Sequence, residues 1–558
     1  MATDPWDDSP LRQVSSEEIA DEHARQVVVG LLNLIEGMRA CIQQLRAENH
    51  RLRDEIARLK GEQGKPQVPP QKPLAAPTDH SSEKERRQPR SWHKSAKVPQ
   101  IRIDRTEPLR VDRSTLPPDA QHKGYEDVIV QDILFRSDNI CFRREKFYSP
   151  STGKTYLAPL PAGYEGDYGP GVKALALDLS FGANVSEAQI RRRLLNVGVY
   201  ISAGSVSNLL IQAQEVFHTE KAEVYAAGLR SSPWQHIDDT RTRVNGVNHY
   251  CHVVCNPLYT AYFTTRTRER LTVLGVLRAE QPATYLLNEG AFSYLETARV
   301  AQVTRGKLQA LPQGRTLAED QFEVLLAECL PTLGAQTRRL IREAAAIAAY
   351  RAQAEWPVVR LLECDDADQF KGLTEELALC WVHEGRHYKK LSPWAEAHRQ
   401  ATEEFLKQFW GYYDELLAYR QQPSAGDKER LSARFDELFG SVTGYDCLDD
   451  RIALTLSKKT ALLKVLEHPE ILLHNNPAEL GARGRVRKRD VSFGPRTEAG
   501  KQAWDTFATL AATCAKLGIS FYEYLRDRIT KAHNIPRLGE VIATRAADMN
   551  LAASWGPT

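Results

Sequence analysis

The chain has 558 residues, of which 42% are hydrophobic and 26% charged, a balance that fits a folded protein of several domains and excludes a wholly disordered one. Lysine plus arginine (74) nearly cancels aspartate plus glutamate (72), leaving a net charge of +2, so any nucleic-acid surface must come from local clustering of basic residues. The nine cysteines, at 41, 141, 251, 255, 329, 364, 380, 447 and 514, form no CxxC pair, which argues against a disulfide framework or a zinc ribbon and predicts reduced thiols.

The N-terminus, MATDPWDDSP, is acidic where a signal peptide is basic, and apolar runs such as VVVGLLNLI fall short of a membrane span. A cytoplasmic location without membrane contact is expected. Residues 1–62 carry the clearest periodic signal. Ile35, Met38, Ile42, Leu45, Asn49, Leu52, Ile56 and Leu59 alternate spacings of three and four, the a/d seam of a coiled coil. Glu48 faces Arg53 and Glu55 faces Lys60 only if two helices run parallel, and Asn49 at an a position favours a dimer. The competing reading is one amphipathic helix packed on the body of the protein.

Residues 63–120 change character. Proline at the density of GKPQVPPQKPLAAP forces an extended tether, and residues 84–113 hold ten Lys/Arg against four acids. That run suits either a solvated linker or an arm that tracks phosphates. Residues 121–230 contain VSEAQIRRRLLNVGVYISAGSVSNLLIQAQEVF, which has helix-turn-helix spacing: a helix from about Ser186 breaks at NVG, and a second begins near Ser202. In that geometry Arg191, Arg192 and Arg193 meet the DNA backbone, while Ser205, Ser207 and Asn208 face base edges. A helical hairpin without a ligand has the same pattern.

From Trp234 the pattern turns to strands. WQHIDDT, HYCHVVCN and LYTAYFTT read as three antiparallel strands with NG and NP turns. A helical stretch at about 270–355 follows, then PVVRLLECDD as a buried strand and LALCWVHEGRHYKKL as another, closing a unit over 231–392. Residues 394–422, 428–440 and 448–467 are helical by periodicity and form an insertion over 393–468, and HNNPAELGARGRVRKRD opens a basic helix within 469–530. Residues 531–558 are read as a C-terminal tail.

Two apolar segments thus stop at paired acids, Asp238–Asp239 and Asp365–Asp366. Strands ending in aspartate, with glutamate on a distant helix, give the sequence outline of a ribonuclease-H-like nuclease core. Such carboxylates can hold two divalent cations roughly 4 Å apart. Magnesium, or manganese in its place, suits oxygen ligands.

The blocks HIDDT, CDDADQF, CWVHEGRHYKKL and NNPAELGARGRVRKRDVSF, in this order, resemble the DDE transposases of the insertion-sequence-66 family, over roughly residues 170–530. The resemblance implies an α/β fold with a ribonuclease-H-like catalytic core carrying helical insertions, preceded by a helical DNA-binding region and an N-terminal coiled coil. It implies the triad Asp238, Asp365 and Glu479 as metal ligands and catalytic residues, with Cys380, His383, Asn475 and Asn476 in support. The activity implied is magnesium-dependent 3′-end hydrolysis and strand transfer, with the element's terminal repeats and target DNA as partners, and accessory proteins of the same element as further candidates. Beside the metal site, Arg483, Arg485, Arg487, Lys488 and Arg489 are expected to contact phosphates.

The sequence departs from the family in two ways. Relatives hold a cysteine-rich zinc segment before the helix-turn-helix, whereas residues 125–165 contain only Cys141, so that site is expected to be missing. The separation between Asp238 and Asp365 is also long, and the helical stretch at about 270–355 between them is read as an insertion into the core; Asp239 stands where relatives have glutamate. Two other readings compete. A dead core would leave a DNA-binding regulator or relic, and HEGRH matches the HExxH of zinc peptidases, with His383 and His387 as ligands and Glu384 as base. That chemistry needs a helix, and the strand expected here speaks against it. For Glu479 the rival is structural: Asn476, Pro477, Ala478 and Glu479 fit N-cap, N1, N2 and N3 of a capping box.

Overall fold

A computed structural model describes residue 14, residues 19–60 and residues 101–555, except 113, 114, 118, 119, 122, 134 and 280. Most of the proline-rich basic stretch, including Lys84, Arg86, Arg87, Arg90, Lys94 and Lys97, therefore lies outside the described residues.

Helix α1 (Glu22–Leu59) spans the heptad region without a break. Its two halves have different surroundings. Leu32 is buried with Val28 and Ile35 against Trp394 and Ala395. Nearby, Glu36 accepts hydrogen bonds from the backbone N–H groups of Trp394 (2.6 Å) and Ala395 (3.0 Å). Ile35, the first residue of the expected seam, thus packs on the body of the protein. Met38, Ile42, Leu45, Leu52, Ile56 and Leu59 remain exposed along the distal half.

A small hairpin of β1 (Lys146–Ser149) and β2 (Lys154–Leu157) precedes a helical group. Helix α2 (Pro170–Leu177) runs into a π turn over 178–182 and is followed by α3 (Glu187–Asn196), α4 (Ala203–Ile211) and α5 (Glu215–Arg230). The α3–turn–α4 boundaries match the expected helix-turn-helix spacing. Ser186 and Ser202 cap the two helices through Gln189 N–H and Ser205 N–H, and Gly198 takes the positive φ (+81°) that ends α3. Ile190, Leu194, Val206 and Leu210 form the buried side of the pair.

The sheet begins with β3 (Trp234–Val244), β4 (Val247–Asn256) and β5 (Tyr259–Thr265), antiparallel to one another. Asn245 and Gly246, with φ of +49° and +77°, make the two-residue turn that the NG pair predicts. The next stretch is helical as expected: α6 (Arg270–Leu277), α7 (Glu289–Thr297), α8 (Gln302–Gln309), α9 (Glu319–Cys329) and α10 (Ala335–Ala352). It also holds a short antiparallel pair, β6 (Thr284–Tyr285) with β7 (Leu317–Ala318).

The chain then returns to the sheet as β8 (Leu361–Cys364) and β9 (Glu376–Leu379), both parallel to their neighbours, giving the order β5-β4-β3-β8-β9. The strand expected over LALCWVHEGRHYKKL stops at Leu379. From Trp381 to Lys389 the chain is helical (α11), which corrects the expectation. The apolar alternation ends at Trp381; beyond it the buried positions Trp381, Val382, Glu384, Gly385 and Tyr388 follow the helical period. Gly385 lets α11 approach its neighbour closely, since a Cβ there would lie 2.5 Å from the Trp410 ring.

A helical group follows: α12 (Glu396–Gln421), α13 (Ala425–Phe439), α14 (Asp446–Leu456) and the short α15 (Lys459–Leu462). Its aromatic core of Phe409, Tyr412, Phe435 and Phe439 surrounds Trp381, whose indole N–H donates to Leu462 O (2.8 Å). Helix α16 (Asn476–Ser492) lies across β3 and β4, and α17 (Glu498–Lys516) lies along β5. Helices α18 (Phe521–Thr530) and α19 (Leu538–Met549) finish the chain. The stretch read as a tail holds the packed helix α19: Leu538 and Ile542 are buried as α19 packs on α5, and Trp234 Nε1 donates to Leu551 O (2.8 Å). No helix among the described residues is long and apolar enough to cross a membrane.

Candidate active site

Register brings the first two acids together. β3 pairs in parallel with β8 at Trp234–Leu361, Gln235–Leu362 and His236–Glu363, so two residues further on Asp238 and Asp365 fall side by side. Asp365 follows the last residue of β8, as expected. Asp238 does not end its strand: it lies mid-way along β3, still paired to Val253 of β4, at the point where β8 has stopped. A strand that outruns its parallel neighbour opens a notch at the sheet edge, and both carboxylates sit there.

Glu479 is delivered by α16. The N-cap of that helix is Asn475, one residue earlier than the capping box requires, and its side chain makes no cap hydrogen bond. Glu479 is therefore at N4, which corrects the capping-box reading. The buried Asn475 side chain instead fastens the helix start to β3: its Nδ2 donates to Ile237 O (2.7 Å) and its Oδ1 faces His236 Nδ1 (3.2 Å). Asn476 is the half-buried first residue of α16. Gly481 allows the close approach to the sheet, because a Cβ there would stand 2.8 Å from Val253 Cγ1.

The electrostatics single out one member of each acidic pair. Burial, then the negative charge of Asp365, pushes the Asp238 carboxyl up to about 7, and Glu479 and Asp239 add to the repulsion. Asp365 is also raised, chiefly by burial, with His383 opposing the shift. Asp238 and Asp365 each accept one local backbone N–H, from Asp239 (2.8 Å) and Ala367 (3.2 Å), whereas their sequence neighbours are held by side chains. Asp239 Oδ2 accepts from Gln369 Nε2 (2.7 Å), with Arg268 at 3.9 Å from its other oxygen. Asp366 is penalised by burial, but hydrogen bonds from Lys458 (2.7 Å) and Lys371 (2.9 Å) outweigh this and hold it low. Glu479 Oε1 is buried without a hydrogen-bond partner. Asp238, Asp365 and Glu479 offer the hard oxygen donors that a divalent cation such as Mg²⁺ takes, although among the described residues the candidate ligand groups include Glu479 but not Asp238 or Asp365.

Cys380 and His383 stand beside this notch. The Cys380 N–H continues the β8–β9 ladder to Cys364 O (3.0 Å), and its Sγ accepts from Asn475 N–H (3.3 Å). Burial pushes this thiol up to about 12. His383 Nδ1 is 3.6 Å from Glu479 Oε1, and the ligand atoms of Cys380, His383 and Glu479 lie within 4.8 Å of one another. Arg386, which the sequence reading missed, lies 3.2 Å from His383 Nε2 and 3.6 Å from Glu479 Oε2. Only the helical period of HEGRH, with Arg386 three residues after His383, could have revealed it.

That helix also reopens the peptidase motif, since strand geometry no longer argues against it. The side chains do. Glu384, the would-be base, is 3% exposed and held by Arg451, Thr455 (2.5 Å) and Lys458 (3.2 Å). Among the described residues the candidate ligand groups include His383 but not His387.

The basic residues divide as well. Arg485 is buried, paired to Asp505 (3.1 Å) and laid over Trp504, and Lys488 is buried with its ammonium on Ser180. Burial lowers Lys488 to about 8. Both point inward, which corrects their assignment as phosphate contacts. Arg483 and Arg487 are exposed, while half-buried Arg489 reaches Arg241 O. In the helical pair Arg192, Arg193 and Asn208 are exposed and Ser205 and Ser207 half-exposed, whereas exposed Arg191 braces the turn through Ile201 O (3.0 Å).

Comparison with known proteins gives a consistent placement. The family model described as "Transposase IS66 family" matches residues 342–503, a stretch that contains Asp365, Cys380, His383 and Glu479. The uncharacterized protein y4jO of Sinorhizobium fredii is 32% identical over 330 residues, which make up 57% of this chain and 99% of that protein. The uncharacterized protein y4qI of the same organism is 26% identical over 168 residues, 28% of this chain and 31% of y4qI. With the family match lying on the segment that carries Asp365 and the helix bearing Glu479, the chain belongs to the IS66 transposase family.

Proposed function

We propose that this protein is a DNA transposase that cuts the ends of its element and joins them to target DNA, with Asp238, Asp365 and Glu479 as catalytic ligands of two Mg²⁺ or Mn²⁺ ions. The carrying observation is the mutual repulsion of the three acids: burial and the charges of Asp365, Glu479 and Asp239 push Asp238 up to about 7, and Glu479 Oε1 is buried without a hydrogen-bond partner although Arg386 lies 3.6 Å from Oε2. The mixed sheet, three antiparallel strands flanked by two parallel ones, supports a ribonuclease-H-like core.

When bound, the ions would supply Lewis-acid stabilisation of the phosphodiester and activation of the attacking oxygen, water first and then a 3′-hydroxyl. The chain's own contribution is placement. β3 and β8 fix two carboxylates by register, and Asn475 pins the helix that carries the third. His383 and Arg386 flank Glu479 and limit its rotation. Arg483 and Arg487, one helical turn apart on the exposed side of α16, would hold a DNA strand near the notch. The α3–α4 pair would bind the terminal repeats, and the exposed heptads of α1 would pair two protomers in parallel.

Strand-transfer assays on terminal-repeat DNA test this reading. Wild type is expected to cut and join, whereas Asp238→Asn and Glu479→Gln bind DNA but do neither. A relic would shift DNA equally well in all three forms and cut with none.

A further inference from the structure

Asp366 follows Asp365 directly, and its two oxygens are held from opposite sides. Lys371 Nζ lies 2.9 Å from Oδ1, and Lys458 Nζ lies 2.7 Å from Oδ2. Lys371 belongs to the same loop, but Lys458 stands at the junction of α14 and α15, far along the chain in the helical insertion. The same ammonium reaches Glu384 Oε2 of α11 at 3.2 Å. Glu384 is anchored in turn by Thr455 Oγ1 (2.5 Å) and Arg451 of α14, and Thr455 Oγ1 also lies 2.5 Å from the phenolic oxygen of Tyr388. The Lys458 side chain is 16% exposed and that of Glu384 3%, so water can replace little of this cluster.

We propose that Lys458 is a positioning residue for the candidate active site: by bridging Asp366 and Glu384 it locks the loop after β8 to the helical insertion and so fixes where Asp365 stands. This rests on the reading of Asp365 as a metal ligand. The geometry favours it over a merely stabilising contact because the bridge grips the residue next to Asp365 and little else of that loop. Removing Lys458 leaves Lys371 on Asp366 and Arg451 on Glu384, so each acid keeps one cation, but the ammonium that joins the loop to the insertion through both acids is lost and the loop is freed to shift. It also accounts for Glu384, the acid of the HEGRH motif, as the inner anchor of the bridge.

The test uses the full-length protein with Mn²⁺ and a duplex carrying the terminal repeats. Lys458→Met is expected to bind the duplex as wild type does but to cleave it about 10- to 100-fold more slowly, with a raised Mn²⁺ concentration for half-maximal rate. Lys458→Arg should recover most of the rate. Asp366→Asn removes the same bridge from its more exposed side, guards against a folding failure in the lysine variant, and should slow cleavage similarly. The double variant should be no slower than the worse single one. Wild-type rate and metal response in both single variants would overturn the proposal, as would penalties that multiply in the double variant. If wild type itself cleaves no better than Asp238→Asn, the site reading fails, and the proposal with it.

Discussion

Asp238 is the residue whose chemistry is most exposed to test. Its carboxyl sits near 7 because burial and the neighbouring Asp365 charge disfavour ionisation. A carboxyl raised in the folded state contributes stability below its unfolded value, near 4, and that contribution is lost as pH rises through about 7. Without divalent metal, wild type should therefore melt at lower temperature at pH 8 than at pH 5.5, and Asp238→Asn should flatten the difference, which is on the order of 2 kcal/mol. Mn²⁺ should stabilise wild type more at pH 8 than at pH 5.5, and Asp238→Asn little at either; calorimetry reads both. The sequence already showed the two acidic pairs, but not which member of each pair is held by other side chains. That depends on Gln369, Lys371 and Lys458 arriving from other elements, and no local pattern announces a partner 92 positions away, as Lys458 is from Asp366.

At the scale of elements, α16 does two jobs with its two faces. Arg485 pairs with Asp505 inside the protein, so Arg485→Met should cost about 3 kcal/mol by stranding that acid. Arg483→Ala and Arg487→Ala should leave melting unchanged, weaken DNA binding, and each lower the salt dependence of affinity by about one unit of slope. A binding titration across salt concentrations separates these outcomes. Gly481→Val should lift α16 from β4 and slow cleavage more than tenfold while DNA binding persists, since the side chain would collide with Val253. The basic run was legible in the sequence; its division was not, because charge patterning does not say which helix face meets a sheet. The same blindness turned α11 into a strand. LALCW alternates as a strand does, and Trp381 belongs both to that alternation and to the helical face that follows.

Across the whole molecule, most of the chain order was readable: the long first helix, the helix-turn-helix spacing, the strand hairpins and the helical stretches within the sheet unit each carry a repeat or turn signal of their own. What escaped was docking between distant segments. The first half of α1 is attached to the insertion, where Glu36 caps the start of α12, and only its second half presents free heptads. Leu45→Glu with Leu52→Glu should therefore convert the proposed dimer to a folded monomer in sedimentation analysis without lowering the melting temperature by more than a few degrees. Glu36→Gln, by contrast, should loosen α1 from the body and leave the proposed dimer intact. An unchanged dimer in the leucine variant would remove the seam from the interface.

The convergence of Asp238, Asp365 and Glu479 on shared cations is most directly tested by diffraction from crystals grown with Mn²⁺ and a cleaved terminal-repeat end, recorded at the manganese absorption edge. Anomalous peaks within bonding distance of those three carboxylates, with the 3′-hydroxyl beside them, are the predicted result. Peaks bound to Asp239 and Asp366 instead, or no metal at the notch while DNA occupies it, would contradict the account.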